Sequence, residues 1–168
     1  MLFRSEFGID FIPWICNSNK DEFERIIKSS KNNLCVGHFE IENFSMYKGI
    51  QGKDGLSEKL FSKYEYVFSG HYHTRSNRGN IYYLGTPYEL TWHDHGDIKG
   101  FHIFDTETRK LTFHENPYTM FHKIYYDYTK DFSGLEKYHN TCVKVFVDNL
   151  EDSFDVFLDH LNSINPFK

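Results

Sequence analysis

Three features that would identify broad classes of protein are absent from this sequence of 168 residues: a positive net charge, cysteine pairs and long apolar runs. With 19 Lys+Arg against 24 Asp+Glu, the formal net charge is -5, which excludes a globally basic nucleic-acid coat protein. No apolar run reaches the roughly eighteen residues that a transmembrane helix needs, and the first residues do not resemble a signal peptide. We therefore expect a soluble, cytoplasmic protein with no membrane contact.

Cysteine and proline are both scarce. The odd set Cys16, Cys35 and Cys142 contains no C-x-x-C pair and lies in apolar, strand-like surroundings, so we predict buried free thiols. Only 4 prolines accompany 18% aromatic residues, a composition that favours a packed globule over disorder. The length suits one domain with a small appendage.

The apolar pattern of the first seventy residues predicts alternating strands and helices. Residues 7–15 and 34–38 are typical of strands, and residues 21–28 between them have the spacing of an amphipathic helix. Strand, helix and strand in this order indicate a parallel unit. A long loop over residues 41–56 and a short helix over 57–63 precede another strand at residues 64–70.

The later pattern is different. Short apolar runs at residues 81–84, 101–104, 110–114 and 121–128 predict an antiparallel meander. A strand at residues 143–147 and an amphipathic helix at 153–164 follow, the helix with Phe154, Phe157, Leu158 and Leu161 facing inward. The whole pattern predicts the α/β class, or more broadly α+β.

Two predicted strands end in a glycine followed by a histidine. His38 follows the first, and the G-H-x-H sequence containing His71 and His73 follows the second. Loops at the carboxyl ends of parallel strands converge on ligands, and alternate residues of an extended chain lie about 6–7 Å apart. That separation suits one metal, or two metals about 3.5–4 Å apart.

Other interpretations of the histidines stay open. A histidine after a strand is commonly a hydrogen-bonded structural residue. His93-Asp94-His95, in a glycine-rich polar loop, is a rival metal cluster. We interpret the remaining histidines as structural or solvated.

Several segments together resemble the SbcD branch of the calcineurin-like metallophosphoesterases, the nuclease subunits of double-strand-break repair and recombination complexes. They are Gly37-His38, Val67-Phe68-Ser69-Gly70-His71-Tyr72-His73, Tyr83-Leu84-Gly85-Thr86-Pro87-Tyr88, Lys99-Gly100-Phe101-His102-Ile103-Phe104-Asp105, Ile12-Pro13-Trp14 and Tyr47-Lys48-Gly49. The likeness covers nearly the whole chain and is strongest to phage recombination endonuclease subunits.

The resemblance implies a fold, metals and partners. Residues 1–128 would form the carboxy-terminal half of a metallophosphoesterase α/β/β/α sandwich, and residues 129–168 the start of a small α+β cap that recognises DNA. His38 and His71 would bind one Mn²⁺ or Mg²⁺ ion of a pair, and His73 the other. DNA, an SbcC-type ATPase and a second copy of the subunit would be its partners, in the cytoplasm of the host cell.

The resemblance also reveals missing motifs. Members of the family carry Asp-x-His, Gly-Asp and Gly-Asn-His-Asp upstream, and none precedes Phe7; Gly96-Asp97 comes too late to replace one. Three neutral imidazoles alone favour Zn²⁺ or Cu²⁺ over Mn²⁺. We therefore expect a fragment or one piece of a split gene, inactive alone, with an uncovered apolar face and a separate amino-terminal fragment as a possible partner.

Arg75 and Arg78 follow the G-H-x-H sequence directly. They are candidate contacts to a DNA phosphate beside the metals, with an ordinary turn surface as the alternative. Two other functions are also compatible with the sequence. One is a different metallophosphoesterase, such as a phosphatase; the other is a non-catalytic module that binds a partner.

Overall fold

The structure, a computed structural model, describes residues 3–47, 50–51, 55–127 and 133–167. The strands are β1 (Arg4–Glu6), β2 (Ile9–Ile12), β3 (Leu34–Gly37), β4 (Ser45–Tyr47), β5 (Ile50–Gln51), β6 (Tyr66–Ser69), β7 (Ser76–Arg78), β8 (Ile81–Tyr83), β9 (Gly100–Phe104), β10 (Leu111–Glu115), β11 (Phe121–Tyr125) and β12 (Cys142–Phe146). The α-helices are α1 (Lys20–Ser29) and α2 (Ser153–Ser163), and 3₁₀-helices cover Glu58–Phe61, Trp92–Asp94 and Leu135–Tyr138. This mixture confirms the predicted α/β (α+β) class.

The largest sheet has six strands in the order β1-β2-β3-β6-β8-β7. Its four central strands are parallel, and β1 and β7 pair antiparallel at the edges. Helix α1 joins β2 to β3 and packs Phe23 against Phe39 and Phe61 on one face, which confirms the predicted parallel unit. Because the central strands share one direction, their carboxyl ends meet at one edge of the sheet.

The hairpin of β9 and β10 covers part of the opposite face of this sheet. Phe104 of β9 packs on Tyr66 and Phe68 of β6, with ring centroids 5.1 and 4.9 Å apart respectively. Phe11 and Val36 lie in register with Phe68, and therefore on the same face. Phe11 and Val36, unlike Phe68, line an open groove of about 1030 Å³.

Three sequence predictions about local structure need correction. The strand predicted at residues 7–15 is present only as β2, because the chain turns at Phe7 and Gly8; this turn joins β2 to β1 in a hairpin that was not predicted. The predicted loop at residues 41–56 contains the β4–β5 pair, although residues 48–49 lie outside the described ones. The predicted antiparallel meander is wrong, because β8 pairs in parallel with β6 and β11 pairs in parallel with β12. Of its predicted strands, β9 and β10 do form an antiparallel hairpin.

The chain divides into two compact units: Met1–Pro87 with Asp97–Asn116, and Tyr88–Gly96 with Pro117–Lys168. In the second unit, β11 and β12 form a parallel pair and α2 buries Phe157 and Leu161 beside Leu135. The predicted terminal helix and its inward face are thus confirmed. The predicted domain boundary at residues 128–129 falls outside the described residues and stays a prediction.

The three cysteines are all free, as predicted. Cys35 is buried and Cys142 is half-buried, but Cys16 is exposed, which corrects the prediction that all three are buried. Cys16 lies beyond the end of β2, in the segment that leads to α1. No helix in the described part of the chain combines the length and the apolar character needed to cross a bilayer.

Candidate metal centre

His38 and His71 meet where β3 and β6 end. Gly37 and Ser69 are paired across the two strands, and the amide of Gly70 donates a hydrogen bond of 3.0 Å to the carbonyl of Gly37. The two imidazole rings that follow have centroids 5.3 Å apart and lie edge to face at 78°. His38 and His71 therefore lie together at the carboxyl ends of two parallel strands, as their positions in the sequence predicted.

Gly70 is required by the position of His38. A Cβ atom at residue 70 would lie 2.7 Å from Nδ1 of His38, closer than real Cβ contacts occur. The glycine before the second histidine therefore gives the ring of the first histidine its space. This is a packing reason for the Gly-His pattern that the sequence alone did not give.

The backbone of His71 is in an unfavourable conformation. Its φ angle is 86°, in a region that side chains other than glycine rarely adopt. Such a residue costs about 1–3 kcal/mol and persists only where its surroundings hold it. The conformation turns the chain sharply at the end of β6, and the ring of His71 then lies against His38.

Trp14 forms a wall beside both histidines. Its ring centroid is 5.5 Å from that of His38 and 5.1 Å from that of His71. Asn19 fixes the segment, since its Nδ2 donates to the carbonyl of Trp14 at 2.9 Å and its Oδ1 accepts from the amide of Cys16 at 2.8 Å. Trp14 entered the sequence analysis only through the family likeness, and its place in this site was missed.

The surroundings of His71, burial above all, favour its neutral form. Burial lowers the pKa of His71, the Glu40 carboxylate opposes this, and His38 and His73 lower it further. A neutral imidazole is the form that binds a metal. Glu40, which lines a cavity of about 170 Å³ with Trp14 and His38, is an acidic neighbour that the sequence analysis missed.

His73 is held through its main chain. Its carbonyl accepts hydrogen bonds from Nζ of buried Lys99 at 2.8 Å and from the amide of Thr86 at 3.2 Å. Lys99 also lies 3.4 Å from Oδ2 of Asp97, which accepts from the hydroxyl of Thr74 at 2.9 Å. This buried network anchors the end of the G-H-x-H segment.

The predicted ligands do not make a complete metal site by themselves. In the described ranges, no group of at least three His, Cys, Asp or Glu side chains is placed to hold one ion. His38 and His71 supply two nitrogen donors, whereas Mn²⁺ and Mg²⁺ prefer several oxygen donors. The donor set therefore fits part of a centre, and a metal-bound step cannot be derived from it.

The rival cluster, His93-Asp94-His95, has a structural central residue. Oδ2 of buried Asp94 accepts hydrogen bonds from the amides of Leu90 and Thr91 and from the Thr91 hydroxyl, at 2.9–3.2 Å. Thr91 and Asp94 form a capping box for the 3₁₀-helix Trp92–Asp94. The carboxylate that a metal would need is thus occupied in stabilising the loop.

The two candidate DNA-binding arginines have different surroundings. Arg78 donates to Oε1 of Glu58 at 2.8 Å and to the carbonyl of Asn43 at 3.0 Å. Arg75 instead lies over the ring of Phe113, 3.7 Å from its centroid. A DNA-binding role for either residue stays a prediction.

Comparison with known proteins gives one curated relative and no matching family model. The chain is 37% identical over 156 residues to Exonuclease subunit 1 of Enterobacteria phage T4. It is related to a phage exonuclease subunit. The alignment covers 93% of this chain but 45% of that protein, so the chain spans less than half the length of its relative.

Proposed function

We propose that this chain is the histidine-bearing part of an SbcD-type metallophosphoesterase that hydrolyses DNA phosphodiester bonds in recombination and repair. The observation that carries the proposal is the meeting of His38 and His71 at the ends of two parallel strands, 5.3 Å apart. The relationship to a phage exonuclease subunit supports the nuclease class. In this proposal an SbcC-type ATPase and a second copy of the subunit complete the complex.

The proposed cofactor is a pair of Mn²⁺ or Mg²⁺ ions. When bound, such a pair supplies a hydroxide nucleophile and stabilises charge on the phosphodiester. His38, His71 and His73 would hold the ions through neutral imidazole nitrogens, with the oxygen donors coming from polypeptide outside this sequence. Trp14 would exclude water from one side of His71, and Lys99 would keep the main chain of His73 in place.

The test is a chimera that supplies the rest of the relative. This chain replaces the matching 156 residues of Exonuclease subunit 1, and cleavage of linear duplex DNA is measured with Mn²⁺. We expect Mn²⁺-dependent cleavage that falls by about 100-fold or more in His71→Asn and His38→Asn, as for the loss of one strong transition-state contact. Melting temperature confirms that each variant is folded.

The matched control is His160→Asn, which changes an exposed histidine on α2 and should leave cleavage unchanged. A folded chimera whose cleavage survives both site variants would overturn the assignment of the histidines. Rapid hydrolysis of nitrophenyl phosphate with no cleavage of duplex ends would favour a phosphatase instead.

A further inference from the structure

A second cleft lies at the edge of the large sheet, where β7 and β8 face the β9–β10 hairpin. Its volume is about 370 Å³, within the range of about 300–1,000 Å³ that is typical of small-molecule sites. The lining includes Arg75, Ser76, Asn77, Tyr82, His102 and Phe113. No acidic side chain is among its described lining residues, so the cleft is suited to an anion.

The surroundings of Arg75 leave its hydrogen-bond donors able to bind an anion. Its guanidinium lies over the Phe113 ring, 3.7 Å from the ring centroid, and no hydrogen-bond acceptor for it occurs among the residues that the structure describes. Stacking fixes the plane of the group while its N–H donors stay at the edge. The guanidinium group is planar and always charged, and two of its N–H groups can donate to two oxygens of one phosphate.

Two polar atoms of the cleft residues are buried and unsatisfied. Ser76 Oγ and His102 Nδ1 have no hydrogen-bond partner within the described part of the chain. Unpaired buried polar atoms are rare in folded proteins and occur at functional sites. Burial, with the charge of Arg75, lowers the pKa of His102, so that its ring is neutral at neutral pH.

The remaining lining extends beyond what a phosphate alone would contact. Tyr82 and Phe113 offer aromatic surface, and Asn77 offers both a donor and an acceptor. Aromatic surface and amide groups are what proteins use to bind a nucleobase. We propose that this cleft binds a nucleoside monophosphate unit, with its phosphate on Arg75 and its nucleoside towards Tyr82.

This inference rests on the proposed nuclease function only for the origin of the ligand. The nucleotide could be the phosphorylated end of a DNA strand or a mononucleotide released from it, and both present the same chemistry. Binding itself needs neither a metal nor cleavage. A failed nuclease assay therefore leaves the cleft to be judged separately.

The experiment measures binding to the whole chain by calorimetry in the presence of a metal chelator. The probes are dAMP, deoxyadenosine, inorganic phosphate and a 5′-phosphorylated oligonucleotide. We expect dAMP to bind more tightly than deoxyadenosine or phosphate, and Arg75→Ala to weaken it at least about tenfold, the loss of a charge-assisted contact. Arg75→Lys should restore only part of the affinity, because lysine lacks the planar fork.

Arg25→Ala is the matched control, since that exposed arginine of α1 is paired with Glu22 outside the cleft lining, and it should leave dAMP binding unchanged. Tighter binding of the oligonucleotide than of dAMP would identify a strand end, and the reverse a free mononucleotide. Equal losses in Arg75→Ala and Arg25→Ala, equal affinity for dAMP and phosphate, or no binding of dAMP by a folded chain would each overturn the proposal.

Discussion

At the scale of single residues, the contact between Gly70 and His38 links the fold to metal binding. In Gly70→Ala the new methyl group would meet Nδ1 of His38 at 2.7 Å, and the exposed ring would swing away from His71. We expect calorimetry to show weaker binding of Zn²⁺, the ion that imidazole pairs favour over Mn²⁺. Unchanged Zn²⁺ affinity in a folded variant would contradict metal binding by the His38–His71 pair. The affinity of His38→Asn shows how much binding is lost when one of the two imidazoles is removed.

Asp10 makes stability depend on pH. Burial alone would raise its pKa, but hydrogen bonds from Ser30, Ser5, Tyr64 and Asn32 outweigh it and lower the pKa. Asp10 is 0% exposed, and the hydrogen bonds that its carboxylate accepts from Ser5, Tyr64 and Asn32 are 2.6–2.7 Å long. Because the native pKa lies below the unfolded value of about 3.9, the stabilisation is complete above that pH and is lost as pH falls through the native pKa.

Asp10→Asn should therefore be less stable than the natural chain at pH 7, by about 1–3 kcal/mol, because the amide presents donors where acceptors are needed. Urea denaturation at intervals from pH 7 to pH 2 should show this gap narrowing in acid. Asp159→Asn, at an exposed position of α2, is the control and should differ little at pH 7. A gap that stays constant with pH would refute the assignment.

The site shows what local sequence can and cannot reveal about residues. His38 and His71 were predictable, because a strand followed by Gly-His is a local pattern and parallel strands end at one edge. Trp14 and Glu40 were missed as neighbours, since their approach to His71 depends on the order of strands in the sheet and on the path of the following loops. The stacking of Arg75 on Phe113 is equally non-local.

At the scale of elements, segments were predicted better than their pairing. The apolar spacing of α1 and α2 and the short runs of β3, β6 and β12 gave their positions. The prediction of a meander was wrong because β8 pairs in parallel with β6, from which it is separated in sequence by the G-H-x-H segment and β7. Such pairing is decided by burial of both faces in the assembled sheet, which a local alternation does not encode.

The hairpin of β1 and β2 turns at a residue poorly suited to it. Phe7 has a φ of 55° beside Gly8 at 77°, although Asn-Gly is the favoured pair for such a turn. The Phe7 side chain is 93% exposed, so removing it sacrifices no packing. We expect Phe7→Asn to stabilise the chain by about 0.5–1 kcal/mol, since asparagine tolerates this conformation better.

Urea denaturation provides the measurement, and Phe7→Ala the matched control. Alanine removes the ring but keeps a side chain that disfavours positive φ, so its stability should stay close to that of the natural chain. If alanine stabilised the chain as much as asparagine, the cause would be loss of the exposed ring rather than the turn.

The buried network behind His73 couples two elements. Lys99, just before β9, is 4% exposed and connects the carbonyl of His73 to Asp97. Lys99→Met removes the cation while the Asp97 side chain stays only 12% exposed, and this variant should lose about 3–5 kcal/mol in the free energy of unfolding. Denaturation of Lys99→Met with Asp97→Leu should recover most of this loss; a double variant no more stable than the single one would argue against a charge pair.

At the scale of the whole molecule, the groove beside β2 and β3 is the surface through which we expect copies of the chain to associate. Phe11 and Trp14 are 39% and 47% exposed there, and a groove of about 1030 Å³ is a large apolar opening. The edge strand β1 carries exposed Arg4 and Glu6, which also line one side of the groove, and charged edges resist strand-to-strand association. Association between copies should therefore proceed through the groove rather than through the edge.

We expect the weight-average sedimentation coefficient of the natural chain to rise with concentration, and Phe11→Lys to reduce that rise because a charge in the groove opposes its burial. The melting temperature of Phe11→Lys should change little, since the side chain is only partly buried. Ile103→Lys, at a 53% exposed position of β9 outside the groove lining, tests whether any added charge has the same effect. A chain that is monomeric at every concentration, or one that responds equally to both variants, would show that the groove is not the surface through which copies associate.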